Sequence, residues 1–506
     1  MVQLERESDG HADEPTAQGG VGRRPPAKRL ALEIVVLLAL AAAVIVAHLH
    51  RRADSPPIPT RQRTFALDED EALPVYVRDW GSNDESAWQR LPIVGTGTSL
   101  AFDIPPGQEV KTVVQYGNLT PSRYPWYQKL LAKIGIKVQP KKTEPSSILG
   151  RFGPGEIHEV QMWADYEDRE VTHRALVRLG SKTGLRQIRF VGFDINLPSD
   201  FAHLGPLKNL KALRFEDCRL HDSIFPEIGR LRWLRQLSLS NTATTNPLRL
   251  PDRKAYPPWR PALPIADANL AHLKPLDALE ELDVSATSAG NEGLAWISRL
   301  PQLRYLELAG CNVGEEGLAL IGQMRSLEFL SLSSNQDSLG FREGLAHLAK
   351  LPVLRILHLS AWPADQKILE QVARISSLWV LDLNGSRLDA ESLAALRNLP
   401  QLRGLVLGQG IGDQGLLRVS NLSTLTALSL FGTRVSDAGL AYLTKLPALE
   451  RLVLQGVGEA VTDAGLEHLA AVVTLREIRL KKTGATQAGV ARLRQALPDC
   501  SITFVP

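Results

Sequence analysis

Cysteine is nearly absent from this chain: Cys218, Cys311 and Cys500 are the only three in 506 residues, and they lie far apart. An odd number without clustering supplies neither a disulfide framework nor a set of zinc thiolates, and it leaves the redox compartment open. P-loop, dinucleotide-binding and metal-ligand spacings are also missing, so no cofactor and no metal are expected. There is no long basic run either. The 58 Lys and Arg against 55 Asp and Glu leave a net charge of +3 spread along the chain. The electrostatic footprint of a nucleic-acid binder is therefore lacking, and no nucleic-acid partner is expected. What is present is a 44% hydrophobic composition, that of a folded protein long enough for two or three domains or one elongated array.

Residues 30–49 form one apolar segment whose centre, Ile34 to Ala47, contains no polar side chain. As a helix, twenty residues rise about 30 Å, the thickness of a bilayer's hydrocarbon core. Glu33 and His48 fall near its two ends, where polar groups reach the headgroups. A cleaved signal peptide is the alternative; a polar leader of 29 residues and the lack of a small-x-small site after Ala47 speak against it. Arg23, Arg24, Lys28 and Arg29 abut the segment more densely than Arg51, Arg52, Arg61 and Arg63. The expectation is a single-pass helix with its short tail inside and the C-terminal part non-cytoplasmic.

Internal periodicity is the dominant signal. The pattern L-x-x-L-x-L starts at Leu185, Leu210, Leu234, Leu279, Leu303, Leu327, Leu354, Leu378, Leu402, Leu425, Leu449 and Leu475, with 24 residues the commonest step. Weaker copies at Ile157, Val160 and Met162 and at Leu497, Cys500 and Ile502 flank it, as atypical terminal units flank a capped array. In the unit from Leu425, Leu428 and Leu430 alternate inward as in a strand, and Val435, Leu440, Leu443 and Leu446 form an apolar helical face. Ser436 or Asp437 is placed to cap that helix. One unit cannot bury both faces, whereas stacked copies can. The expected fold is an α/β solenoid with a parallel sheet on the concave side, helices on the convex side and a leucine core between.

The stretches TRVSDAGLAYL from Thr433, EAVTDAGLEHL from Glu459 and CNVGEEGLALI from Cys311 resemble the leucine-rich-repeat family, in its cysteine-type variety with T-x-V-[ST]-D-x-G-L after the strand. The resemblance covers roughly residues 157–506. It extends to membrane-anchored bacterial proteins with the same order of helix, spacer and repeats, and the repeats are shared with F-box proteins, although no F-box segment is apparent. It implies that the ninth position, held here by Cys218, Thr242, Thr287, Cys311, Asn335 and Thr433, is buried and hydrogen-bonds the turn backbone. Trp362, Gly410 and Val457 depart from that pattern.

The chain therefore divides into a polar tail (1–29), a transmembrane helix (30–49), a linker with β-leaning pieces such as LAFDI and KTVVQYG (50–120), an N-terminal cap (121–156) and the repeats (157–506). Within the cap, YPWYQKLLAKI from Tyr124 reads as an amphipathic helix over the first repeat. A proline-rich, basic insertion, NPLRLPDRKAYPPWRPALP from Asn246, interrupts the array at 244–265 and is expected on the rim. Three Asn-x-Ser/Thr sequons, at Asn118, Asn384 and Asn421, identify no compartment.

In each unit the third and fifth positions point away from the core, so successive repeats build columns about 4.8 Å apart. The third column reads Tyr305, Phe329, Ile356 and Val380, an apolar stripe beside Glu307, His358 and Asp382. A recognition patch with aromatic anchors is one reading; partial burial at the strand edge is the other. The fifth column sets Ser331, His358 and Asp382 side by side, the residue types of a nucleophile, a base and its orienter. Flat parallel strands aim all three the same way and offer neither oxyanion hole nor nucleophile turn, so no catalytic residue and no enzyme are expected. The resulting expectation is a membrane-anchored scaffold or receptor-like protein that binds a protein or peptide through Tyr305, Phe329, Ile356, Val380, His358 and Asp382. A cytoplasmic-side adaptor is the alternative, and a serine hydrolase a distant third.

Overall fold

The computed structural model describes the strand backbones between residues 63 and 116, Gly155, and residues 157–164, 173–196, 198–244, 265–335, 341–361, 365–386 and 388–506. The apolar segment 30–49, the helix expected from Tyr124 and the insertion 246–264 lie outside the described residues. Among those described, no helix is long and apolar enough to cross a membrane.

Each L-x-x-L-x-L run becomes a short strand, and every strand pairs in parallel with those of the preceding and following units. In the middle of the array the register is Glu281, Tyr305, Phe329, Ile356, Val380, Gly404 and Ala427, one residue from each successive strand. The weak flanking copies are genuine units: Glu159–Ala164 opens the repeats and Ser501–Val505 is the last strand. The pairings form an open ladder, and the chain of each unit returns through a helix or a 3₁₀ segment on the opposite layer. Glu315–Ile321 is one such α-helix, while Ser392–Asn398 is entirely 3₁₀. The result is an α/β solenoid of leucine-rich repeats.

The leucines explain why the layers close. Leu425, Leu428, Leu430, Val435, Leu440 and Leu443 have no exposed surface, and their counterparts in the neighbouring units belong to the same continuous core. Burying a Leu or Val side chain contributes about 1.5–3 kcal/mol, and no unit contains a second apolar layer of its own.

Before the first repeat, LAFDI and KTVVQY lie in the strands Ser99–Ile104 and Gln108–Tyr116. The second of these pairs in parallel with Glu159–Ala164. The repeat sheet thus continues into the segment that precedes residue 121, and Val75–Asp79 then adds antiparallel to it.

The S/T-D-x-G motif proves to join repeats. Ser436 is the N-cap residue of the helix Asp437–Leu440, but its side chain makes no cap bond. Its hydroxyl donates instead to Asp413 Oδ2 of the preceding unit at 2.6 Å, and its N–H to Asp413 Oδ1 at 2.8 Å. Thr462 on Asp437 and Thr486 on Asp463 repeat both bonds, and each of these threonines also caps its own helix. The capping expected of Ser436 is therefore corrected: its hydroxyl bonds the carboxylate one unit back and makes no bond to its own helix. The motif glycine follows from the same contact. A Cβ on Gly439, Gly465 or Gly489 would overlap the Oδ1 of Asp413, Asp437 or Asp463.

The ninth positions are buried, and most bond the backbone as the resemblance implies. Cys311 Sγ donates to Val284 O at 3.2 Å, Thr242 Oγ1 to Phe215 O at 3.2 Å, and Asn335 Nδ2 to Leu308 O at 2.6 Å. Thr433 departs from this: its buried hydroxyl has no hydrogen-bond partner. It follows the one step of 23 residues, from Leu402 to Leu425, so the turn it would bond is one residue shorter. All three cysteines are free and buried, and burial pushes the Cys311 and Cys500 thiols up to about 11.

Candidate functional site

The face of the sheet opposite the helices carries the third- and fifth-position columns. Tyr305, Phe329, Ile356 and Val380 stand on four consecutive strands and pair in register. None of the four belongs to the leucine core on the other side of the sheet. The Tyr305 and Phe329 rings stack with centroids 3.9 Å apart and planes 7° apart, and His358 meets Phe329 edge-on at 4.9 Å. Tyr305 is only 5% and Phe329 2% exposed. Strand spacing is about 4.8 Å, so rings on adjacent strands cover each other. The expected stripe is a packed row that presents limited ring surface; Ile356 is the half-buried member.

Ser331, His358 and Asp382 are likewise neighbours in register. No hydrogen bond links Ser331 to His358, or His358 to Asp382. The Ser331 hydroxyl interacts with Glu307, and Asp382 Oδ1 accepts from the N–H of Asn384 at 2.8 Å. Burial lowers the His358 pKa, with Asp382 pulling against it. Side by side on parallel strands, the three make a row without the relay that would activate a serine.

Two further side chains, one repeat earlier, complete the electrostatics. Glu281 is buried beside Tyr305, and Asp283 precedes Glu307 in the fifth column. Asp283 accepts from Ser238 Oγ at 3.0 Å and from the Ser285 N–H at 2.9 Å; Glu307 accepts from the Tyr305 hydroxyl at 2.7 Å. Burial raises Glu281 to about 7 against the pull of Arg214, and raises Glu307 to about 7 against its hydrogen bonds from Tyr305 and Ser331. Reading the third and fifth columns back to the unit at Leu279 would have found Glu281 and Asp283, because the signal is the register itself. The second column, also unread in the sequence, forms a charged rim: Arg235 pairs with Glu280 at 3.0 Å, Arg304 Nε with Glu328 at 2.8 Å, and Trp379 lies between the guanidiniums of Arg355 (4.5 Å) and Arg403 (5.0 Å).

Among the described residues no group of three or more His, Cys, Asp or Glu side chains is arranged to hold a metal ion. The arrangement defines a class by architecture, a leucine-rich-repeat solenoid with a structured sheet face. No protein-family profile matches the chain, and no curated protein is significantly similar to it. Solved structures of the same general type are similar to it. An internalin from Listeria monocytogenes is 18% identical over 75% of this chain and 94% of its own, with a TM-score of 0.42. A leucine-rich-repeat protein from Leptospira interrogans is 17% identical over 77% of this chain and 99% of its own, with a TM-score of 0.37.

Proposed function

We propose that the chain is a membrane-anchored scaffold or receptor-like protein that binds a protein or peptide on the sheet face of its repeats. The observation that carries this reading is the row Tyr305, Phe329, Ile356 and Val380: four apolar side chains in register, outside the leucine core, on the face that the helices do not cover. Aromatic anchors dominate interface energetics, and truncating one commonly costs about 2 kcal/mol of binding or more. In this reading the segment 30–49 is the anchor, and the denser basic residues before it favour repeats on the non-cytoplasmic side.

The test combines partner capture with stability. The detergent-solubilised full chain is purified, co-purifying proteins are identified, and the Tyr305→Ser/Phe329→Ser chain is compared. The double variant should lose the captured partner while it retains a cooperative thermal transition, shifted down because the stacked rings are buried. Retention of the partner by the folded variant would move the binding surface elsewhere. Protease protection in sealed vesicles tests the orientation: digestion of the repeats from the cytoplasmic side favours the adaptor reading.

A further inference from the structure

Resting on that reading, we infer that the sheet face from Glu281 to Asp382 receives a cationic, extended polypeptide segment, whose basic side chains meet Asp283, Glu307 and Asp382. The first support is how differently the carboxylates of the sheet are partnered. Four other carboxylates on the strands and their rim are held by arginine: Glu216 by Arg189, Glu280 by Arg235, Glu328 by Arg304 and Glu477 by Arg479. Asp283, Glu307 and Asp382 form no salt bridge and accept hydrogen bonds only from neutral groups. Asp283 and Glu307 are direct neighbours in register, so above about pH 7, where Glu307 ionises, like charges face each other at strand spacing. Such a pair is unfavourable alone and is relieved by a cation placed between them.

Space and spacing agree with a chain laid across the strands. Beside the carboxylates, the seventh position is Ser285, Ala309, Ser333 and Ser360 in consecutive units, all partly exposed. The backbone ladder continues through them, with Ala286 N–H donating to Ala309 O, Gly310 N–H to Ser333 O and Ser334 N–H to Ser360 O. The side chains beside the acidic column are therefore small and partly exposed. Glu307 and Asp382 are three strands apart in register, a span of about 14 Å, and residues four apart in an extended peptide are separated by the same distance. Ile356, the half-buried member of the row, then lies under the apolar residues between two basic ones.

Binding should weaken as Glu307 takes up a proton. The groups facing Glu307 are Asp283, Tyr305 and Ser331; those facing Glu281 are Arg214, Gln236, Glu280 and Arg304; Asp382 faces His358. The probes are three fluorescein-labelled twelve-residue peptides, identical except that two positions four apart carry Arg, Gln or Glu, titrated by anisotropy against the full chain in detergent. The Arg peptide should bind at least tenfold tighter than the Glu peptide at pH 8, and should lose most of that advantage at pH 6 and in the Asp283→Asn/Glu307→Gln variant. Glu328→Gln, on the rim, should leave it intact. Equal binding of all three peptides, with sensitivity to Tyr305→Ser/Phe329→Ser, would overturn the cationic preference and leave the partner-binding reading standing. Preference for the Glu peptide, or no binding by any of the three, would also overturn it. In that case the partner-capture assay decides separately whether the sheet face is a binding surface at all.

Discussion

Leu428 has no exposed surface and pairs in register with Leu405 and Leu452, which are equally buried. Leu428→Ala should therefore cost about 2–5 kcal/mol through lost transfer energy and a cavity shared by three units, read as a lower urea midpoint. At the same scale, Glu281 and Glu307 make a prediction of opposite character. Burial raises both carboxyls from the ordinary 4.5 to about 7, so the folded chain holds two protons that the unfolded chain releases. Their contribution is full below pH 4.5, declines as pH climbs and is gone above about 7. Between pH 5 and 8 the chain should lose on the order of 5 kcal/mol from these two groups together. Glu281→Gln/Glu307→Gln should flatten that slope. Parallel pH profiles for the two proteins would mean that these carboxyls ionise normally.

At the scale of one repeat, the link from Asp to the next unit's Ser or Thr can be separated from the core. Asp437 accepts from Thr462 N at 2.7 Å and Thr462 Oγ1 at 2.6 Å. Asp437→Ala strands both donors and should cost about 1–2 kcal/mol. Gly465→Ala should also destabilise, because its new Cβ overlaps Asp437 Oδ1. The two effects should be non-additive: with the carboxylate gone, the new Cβ meets only the end of the Leu440 side chain, Cδ1 at 2.9 Å, and Gly465→Ala should cost less in the Asp437→Ala background. Simple additivity in urea melts would show that the overlap is relieved some other way. The motif itself was legible in the sequence, but its role was not. A pattern within one unit points to a cap on its own helix, whereas the acceptor that wins for Ser436 lies 23 residues earlier, and only stacking brings it near.

Across the whole array, the leucine register specified strand order, the inward face and the placement of Tyr305 beside Phe329, because a period-two strand leaves one choice of face once the core is known. It did not reveal how far those rings would bury each other, which depends on ring packing between strands, nor that the sheet extends into Gln108–Tyr116, whose sequence lacks the leucine pattern. The interruption at 244–265 offers the last test of the architecture. The flanks on both sides are fixed to neighbouring units. Ala243–Thr244 pairs with Arg219–Leu220, Ile265 is fully buried with its carbonyl accepting from Ser288 N at 2.9 Å, and Asp267 Oδ1 accepts from Gly290 N at 2.7 Å. Stacking also passes directly across the interruption, where Gln236–Ser238 pairs in parallel with Glu281–Asp283. Because closure entropy changes slowly with loop length, replacing 246–264 by a Gly-Ser link long enough to join the flanks should move stability by less than about 1 kcal/mol and keep one cooperative transition. Two separated transitions, or no folded protein, would mean that the insertion is an integral part of the repeat and that units on its two sides depend on it to form a single core.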